Sequence, residues 1–452
     1  MKTVFYDLQV KNFSMLLTTV NPSVEEVQIF CDSKKTQNIA VTIGVSGILS
    51  GVKTKKDQAV IEYSNKFDSA NLQNSTDIIL DPHEIENGYN RINESSPKLI
   101  EALSVARNRI FDFHANTIPE NSITTDEFGN TIGYKWSTIQ DVGVYVPGGS
   151  AAYPSSVLMN VIPALAAGVH HDNIYITTPA KNGIISDAIL SAAYLCGISN
   201  IYKIGGATAI AALAYGTETV KKVDKIVGPG GAYVAEAKRQ VFGNVGIDMI
   251  AGPTDVCIIA DETANPKFIA LDMIAQAEHG EDSSSVLITD SSDMARLVIS
   301  ELEHATENHS RKNIIIKSLR NHGMIYVIHN LLEYGTEIAN MIAPEHLQIC
   351  TQNAHDFVER IHHAGAIFIG EATCEALGDY ILGPSHTLPT YSSAKFSQGL
   401  SVYDFLKKIS IMEIFNPKTS ISLYQNASLI AESEMLEGHK NSLDARITEY
   451  DI

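Results

Sequence analysis

Cysteine is scarce in this sequence and never clustered. Cys31, Cys196, Cys257, Cys350 and Cys374 are scattered, with no CxxC and no Cys/His group. Neither a disulfide framework nor a thiolate zinc site is indicated, and the pattern suits a reducing compartment. Positive charge is also short: 33 Lys and Arg stand against 52 Asp and Glu, a net charge of −19. An acidic chain repels phosphate backbones and anionic lipid, which sets aside nucleic acid and membrane surfaces as general partners. A local pocket for a dinucleotide or small anion is compatible with it. No run reaches the about 18–20 apolar residues that span a bilayer. The opening MKTVFYDLQVKNFSMLL puts Asp7 and Lys11 where an export signal is apolar, so a cytoplasmic chain is expected. GxGxxG, HExxH and GxSxG are all missing, which removes the usual signatures of Rossmann dinucleotide sites, metalloproteases and serine hydrolases.

What is present is ordinary globular material: 452 residues, 44 % hydrophobic and 19 % charged, enough for several cores. From about residue 20 to 115 the apolar spacing is helical, as in LIEALSVARNRIFDFH. A polar, β-leaning stretch follows, ITTDEFGNTIGYKWSTI. Then strands alternate with helices: DVGVYV, NIYITTP, IYKI and DKIV, and later CIIAD, SVLITD, NIIIKS, YVIHN, LQI and AIFIG. This alternation predicts an α/β protein with two doubly wound, Rossmann-like domains that lack GxGxxG. The expected boundaries are an N-terminal helical segment, residues 1–40; a discontinuous first α/β domain, 41–144 plus 255–400; a second α/β domain with glycine loops, 145–254; and a small tail, 401–452. Some fifty residues are thin for an independent core, so the tail is expected to pack on the body or on a partner subunit.

Three glycine loops join strands to helices: Pro147-Gly148-Gly149-Ser150, Gly205-Gly206-Ala207-Thr208 and Gly228-Pro229-Gly230-Gly231. Glycine allows close backbone approach, and a following helix offers N–H groups and a positive dipole end to phosphate. Most such turns carry glycine for geometry alone, so the loops permit a dinucleotide site without requiring it.

Two Glu-His pairs raise a chemical question. In AQAEHG, Gln276 and His279 are three apart on a helix expected to end at Gly280, so they share a face and Glu278 does not. They can chelate a metal together, or His279 can simply meet the helix dipole. In APEHLQI, Pro344 marks a turn before a short strand. Glu345 and His346 then read either as two acid-base groups aimed from a loop or as a solvated turn. Asp379 and His386 lie in the loop-rich GDYILGPSHTLPT, and Glu434 and His439 on an expected final helix. These segments offer N and O donors suited to zinc.

Taken together and in order, GVYVPGGSAAYPSSVLM, GGATAIAALAYGTETV, KVDKIVGPGGAYVAEAKRQVFG, GIDMIAGPTDV, QAEHG, APEHLQI, ALGDYILGPSHTLPT, GLSVYDFLKK and LEGHKNSLDAR resemble the histidinol dehydrogenase family. The resemblance runs from EYSNKFD at Glu62 nearly to the end. It implies oxidation of L-histidinol to L-histidine through histidinaldehyde, with two NAD+ and one Zn2+ per active site. It implies Gln276, His279, Asp379 and His439 as zinc ligands, the last from the other subunit of a domain-swapped homodimer. It implies His346 as the base that takes the alcohol proton and Glu345 as the group that activates water. Thr254, Gln276, His279, His346, Asp379, His386, Glu434 and His439 then contact substrate, and Tyr145, Thr208 and Gly231 stand at cofactor positions.

Three positions depart from the family pattern. Thr254 stands where Ser is usual, Thr208 where Gln is usual, and Gly231 where Asn is usual. Losing two amide side chains removes hydrogen bonds of about 0.5–1.5 kcal/mol each, so weaker or repositioned NAD binding is expected. Two other readings stay open: a diverged paralogue oxidising another polar alcohol, and a non-catalytic, zinc-stabilised dimer that binds a small ligand.

Overall fold

The computed structural model describes residues 16–33, 39–148 and 152–450. The expectations for residues 1–15 and 34–38 of the N-terminal segment, and for Gly149 and Ser150 of the first glycine loop, lie outside the described residues.

A five-stranded parallel sheet runs in the spatial order Asn200–Tyr202, Ile174–Thr177, Val142–Tyr145, Lys225–Val227, Gly246–Ile247. Counted along the chain this is 3-2-1-4-5, the doubly wound order, with its switch point between Val142–Tyr145 and Lys225–Val227. A six-stranded parallel sheet runs Leu17–Val20, Gly323–Val327, Ser284–Thr289, Asp255–Ala260, His346–Cys350, Ala366–Ile369. Leaving out the Leu17–Val20 edge, its order is again 3-2-1-4-5, with the switch point between Asp255–Ala260 and His346–Cys350.

Both sheets are covered on two faces, which is why their central strands are buried at every position rather than alternately. In Asp255–Ala260, Val256, Ile258 and Ala260 enter the core under the helices Pro266–Ala277, Ser292–Thr306 and Lys312–His322. Cys257 and Ile259 enter the opposite core, shared with the helices Val24–Ser33 and Thr336–Ile342. On the five-stranded sheet, the helices Ile39–Lys55 and Asp57–Asp68 pack with Gly206–Tyr215 and Ala232–Val241. The helices Pro82–Ser95 and Pro97–Ala115 pack against Asp187–Leu195 and Pro154–Ala166.

Four sequence expectations need correction. The helices between residues 39 and 115 build on the five-stranded sheet, so grouping 41–144 with 255–400 misassigns them. Helices carry no strand order, and only packing reveals which sheet they serve. Leu17–Val20 is a strand within a segment expected to be helical, held by pairing along Gly323–Val327. NIIIKS is not a strand: Lys312–His322 is a helix whose Ile315 and Leu319, four apart, are both fully buried. The expected first α/β domain also loses residues 118–138 to the tail. A smaller unit joins residues 118–138 to 406–452, where Ser122–Thr125, Thr131–Thr138 and Leu406–Glu413 form an antiparallel sheet. Its helices are Ile421–Ser433 and Glu437–Tyr450, and the second has no buried residue.

Candidate active site

The adjoining starts of Asp255–Ala260 and His346–Cys350 position a group of buried titratable side chains. His346 pairs with Val256 in the register, which sets Glu345 level with Asp255. The Glu345 N–H donates to Asp255 Oδ1 (2.8 Å), and the Asp255 N–H donates back to Glu345 Oε2 (3.1 Å). His346 Nδ1 lies 3.2 Å from the Asp255 carbonyl, which makes Nδ1 the protonated nitrogen and turns Nε2 toward Asp379 Oδ1, 3.5 Å away. Strand alternation places His346 on the same face as Gln348 and Cys350. Gln348 donates to Asp272 Oδ2 on the helix Pro266–Ala277 at 2.9 Å, the helix that also carries Gln276.

Glu345 and His346 are 6 % and 3 % exposed, so the solvated-turn reading fails. Their side chains meet, with His346 Nδ1 3.8 Å from Glu345 Oε2. The Thr254 hydroxyl donates to Glu345 Oε2 at 2.5 Å, so the hydroxyl expected from serine is retained with a methyl added. Gln276 is fully buried against the same group. With its amide oriented to suit its neighbours, Nε2 donates to Glu375 Oε1 (2.5 Å) and Oε1 accepts from the Asp255 N–H (2.6 Å).

Two residues of this site escaped the sequence reading. Asp255 holds Glu345 and His346 through its backbone and carboxylate, and as the first residue of an apolar strand it carried no chemical signal. Glu375 is buried, with Oε1 3.8 Å from His346 Nδ1 and Oε2 without a hydrogen-bond partner. It is four residues before Asp379 on the helix Glu375–Tyr380, and that i, i+4 spacing was the available clue.

Burial pushes the Glu345 carboxyl up to about 7 and the Glu375 carboxyl up to about 8, against the pull of the His346 charge. Burial alone lowers an imidazole, yet Glu375, Glu345 and Asp379 together hold His346 well above its ordinary value. Burial also acts to raise Asp379, but the hydrogen bond and charge of His346, with His386 and His279, bring it below the usual carboxylate range. His386 Nδ1 is 3.0 Å from the Asp379 carbonyl, and burial lowers the pKa of both His386 and His279.

The helix bearing Gln276 ends at Ala277, earlier than the expected Gly280. His279 sits in the following turn, its N–H donating to the Gln276 carbonyl at 3.3 Å. Glu278 faces His309, 3.8 Å away. Glu434 and His439 are in the smaller unit and on two helices rather than one. Glu434 caps Ile421–Ser433, Met435 breaks the chain at φ 57°, and His439 lies in the first turn of Glu437–Tyr450.

The expected cofactor positions lie at the carboxyl ends of the five-stranded sheet. The Tyr145 hydroxyl accepts from the Gly206 N–H at 3.2 Å, and Asp68 Oδ2 accepts from the Gly205 N–H at 3.2 Å. Thr208 is buried in the first turn of Gly206–Tyr215. Gly231 begins Ala232–Val241 without a side-chain cap, and a Cβ there meets nothing within 4 Å. An uncapped helix at a switch point fits an anionic ligand.

Comparison with known proteins places the chain in a family. The family model for histidinol dehydrogenase matches residues 31–447. Histidinol dehydrogenase of Clostridium acetobutylicum is 45 % identical over 91 % of this chain and 93 % of its own. Histidinol dehydrogenase 1 of Nostoc sp. is 42 % identical over 96 % of this chain and 98 % of its own. The crystal structure of histidinol dehydrogenase from Elizabethkingia anophelis has a TM-score of 0.89 at 36 % identity, covering 97 % of this chain and 99 % of that one. This chain belongs to the histidinol dehydrogenase family.

Proposed function

We propose that the protein oxidises L-histidinol to L-histidine through histidinaldehyde, using two NAD+ and one Zn2+ per active site. The observation that carries the reading is the buried Glu345-His346 pair at the start of one strand, beside Thr254, Gln276 and Asp379. His346 accepts the alcohol proton at Nε2 while its Nδ1 hydrogen stays on the Asp255 carbonyl, so the ring keeps its orientation through the transfer. Glu345 takes a proton from the water that adds to the aldehyde. Its carboxyl, raised by burial to about 7, is poised for proton transfer near neutrality. Thr254 holds the carboxyl in place.

The donors suit zinc: His279 is kept neutral by its lowered pKa, Asp379 is kept ionised, and both nitrogen and oxygen are borderline-hard ligands. With them, Gln276 and His439 of the partner subunit would hold the ion. When bound, zinc orients the substrate through its amino and imidazole nitrogens. Asp379, once engaged by a cation, would hold the His346 proton less firmly, leaving His346 to act as the base. Substrate contacts extend to His386 and Glu434. Tyr145, Thr208 and Gly231 would line the dinucleotide, which would supply the hydride acceptor.

The test mixes zinc-loaded protein with L-histidinol and NAD+ and follows NADH. Two NADH per histidinol is the expected result. Turnover of a different polar alcohol, with none of histidinol, would point to the paralogue reading. No turnover of any alcohol despite bound zinc would sink both. His346→Asn is expected to stop hydride transfer with zinc content unchanged; loss of zinc would assign His346 to the metal instead.

A further inference from the structure

Lys238 and Asp248 form a fully buried ion pair, with side chains 2 % and 0 % exposed. Among the described residues no other lysine or arginine is so completely buried with its carboxylate. Taking both charges out of water is costly, and apolar residues of similar volume commonly serve stability as well or better. The geometry suggests a different use for the pair.

Both partners act on one residue. Lys238 Nζ donates to the Gly228 carbonyl at 2.9 Å, and the Gly228 N–H donates to Asp248 Oδ2 at 2.8 Å. Asp248 Oδ1 contacts Lys238 and accepts from the Met249 N–H at 2.6 Å. Gly228 has φ +117°, and a Cβ there lies 2.1 Å from the Tyr145 carbonyl oxygen. It is thus a strained-region glycine at the switch point of the five-stranded sheet, with both of its hydrogen-bonding groups fastened. Three residues on, Gly231 starts the uncapped helix Ala232–Val241, and Lys238 reaches back from that helix to Gly228. Asp248 follows the edge strand Gly246–Ile247. Three chain segments are therefore tied at the loop that begins with Gly228.

We propose that Lys238 and Asp248 are positioning residues for the dinucleotide. They touch no ligand; they hold the Gly228 peptide groups so that Pro229–Gly231 and the first N–H groups of the following helix face the phosphates in one fixed geometry. Pre-organisation of this kind lowers the ordering cost of binding and leaves the substrate end untouched. The inference rests on the dinucleotide binding at this loop, as proposed above.

The experiment compares the zinc-loaded wild type with Asp248→Asn, Lys238→Met and the double variant Lys238→Met/Asp248→Leu. Melting temperature, NAD+ affinity and L-histidinol affinity are measured on each, with KM for NAD+ and kcat. The single variants leave one buried charge without its partner and melt lowest, whereas the double variant leaves no unpaired charge and melts above them, but below wild type because the Gly228 and Met249 backbone groups lose their partners. The expected result is NAD+ affinity weakened at least tenfold in every folded variant, with histidinol affinity within twofold of wild type. Persistence of the NAD+ defect in the restabilised double variant is the decisive expectation. Recovery of NAD+ affinity along with melting temperature overturns the proposal, because the pair is then structural only. Parallel loss of both ligands overturns it too. A wild type that binds no NAD+ overturns this inference and the dinucleotide reading together; a wild type that binds, with variants that bind equally well, overturns this inference alone.

Discussion

The two sheets share one strand order and carry their candidate sites at opposite ends of it. The five-stranded sheet presents Tyr145, Gly206 and Gly228–Gly231 at its carboxyl ends, the usual ligand position in open α/β sheets. The six-stranded sheet gathers Thr254, Asp255, Glu345 and His346 at the amino ends of the two strands that flank its switch point. Its carboxyl end is closed to phosphate. Asp261 Oδ1 accepts from the Thr263 N–H (2.9 Å) and Oδ2 from the Gln352 N–H (2.8 Å), occupying donors an anion would need. Burial raises the pKa of nearby Asp290, and the charges of Asp261 and Glu262 raise it further, so the crevice is also acidic. The lesson is that equal topology offers two ends, and side-chain chemistry selects between them: backbone amides at one sheet, buried carboxylates and imidazole at the other.

The sharpest break in this comparison comes from the chemical end. Glu345→Gln removes the carboxylate proposed to activate water but keeps the hydrogen bond to Thr254. The second oxidation is expected to slow by about 10²–10⁴, the usual scale of acid-base catalysis, so NADH per histidinol drops from two toward one while dinucleotide affinity is unchanged. Single-turnover NADH counting checks it.

At the backbone end, Gly228→Ala forces a Cβ into the Tyr145 carbonyl at a positive φ. Destabilisation of about 1–3 kcal/mol or more is expected from strain alone, read as a lower urea midpoint. NAD+ affinity should fall and zinc content should not.

Acid should also weaken the fold. His114, on the helix Pro97–Ala115, is 1 % exposed, with both ring nitrogens lacking a partner. Burial lowers its pKa from 6.5 to about 4. The unfolded chain therefore binds a proton more readily than the folded one between these values. Its contribution is fully present above pH 6.5 and is lost as pH falls toward 4, by about 3 kcal/mol at 1.36 kcal/mol per unit. Urea unfolding at pH 7 and pH 4.5 should show a smaller difference in His114→Leu than in wild type.

The mildest change is Gly231→Asn, which restores the family's usual residue. Its φ of −67° suits any residue and a Cβ has open space, so folding should be unaffected. A hydrogen bond of about 0.5–1.5 kcal/mol predicts NAD+ affinity roughly twofold to tenfold tighter, measurable by calorimetric titration.

Much of this was legible in the sequence because it is local. Apolar strand runs broken by glycine gave the alternation of strand and helix, and ordered motifs gave the family. Proline before Glu345 and three-residue spacing at Gln276 and His279 pointed to separate roles for the two Glu-His pairs. What was missed is long-range. NIIIKS has a β-branched run, and only its packed Ile315 and Leu319 make it a helix. Glu375 looks like one more surface glutamate until the fold buries it beside His346.

The sequence by itself determined the α/β class, the strand–loop–helix units and the residue types available for chemistry, because periodicity and turn residues act over a few positions. Tertiary structure alone decided which helices serve which sheet and which end of each sheet is used. It also brought Asp255 and Glu375 to His346, and Lys238 and Asp248 to Gly228. These outcomes depend on strand register and on burial, which join residues tens to hundreds of positions apart and set the dielectric around every charge.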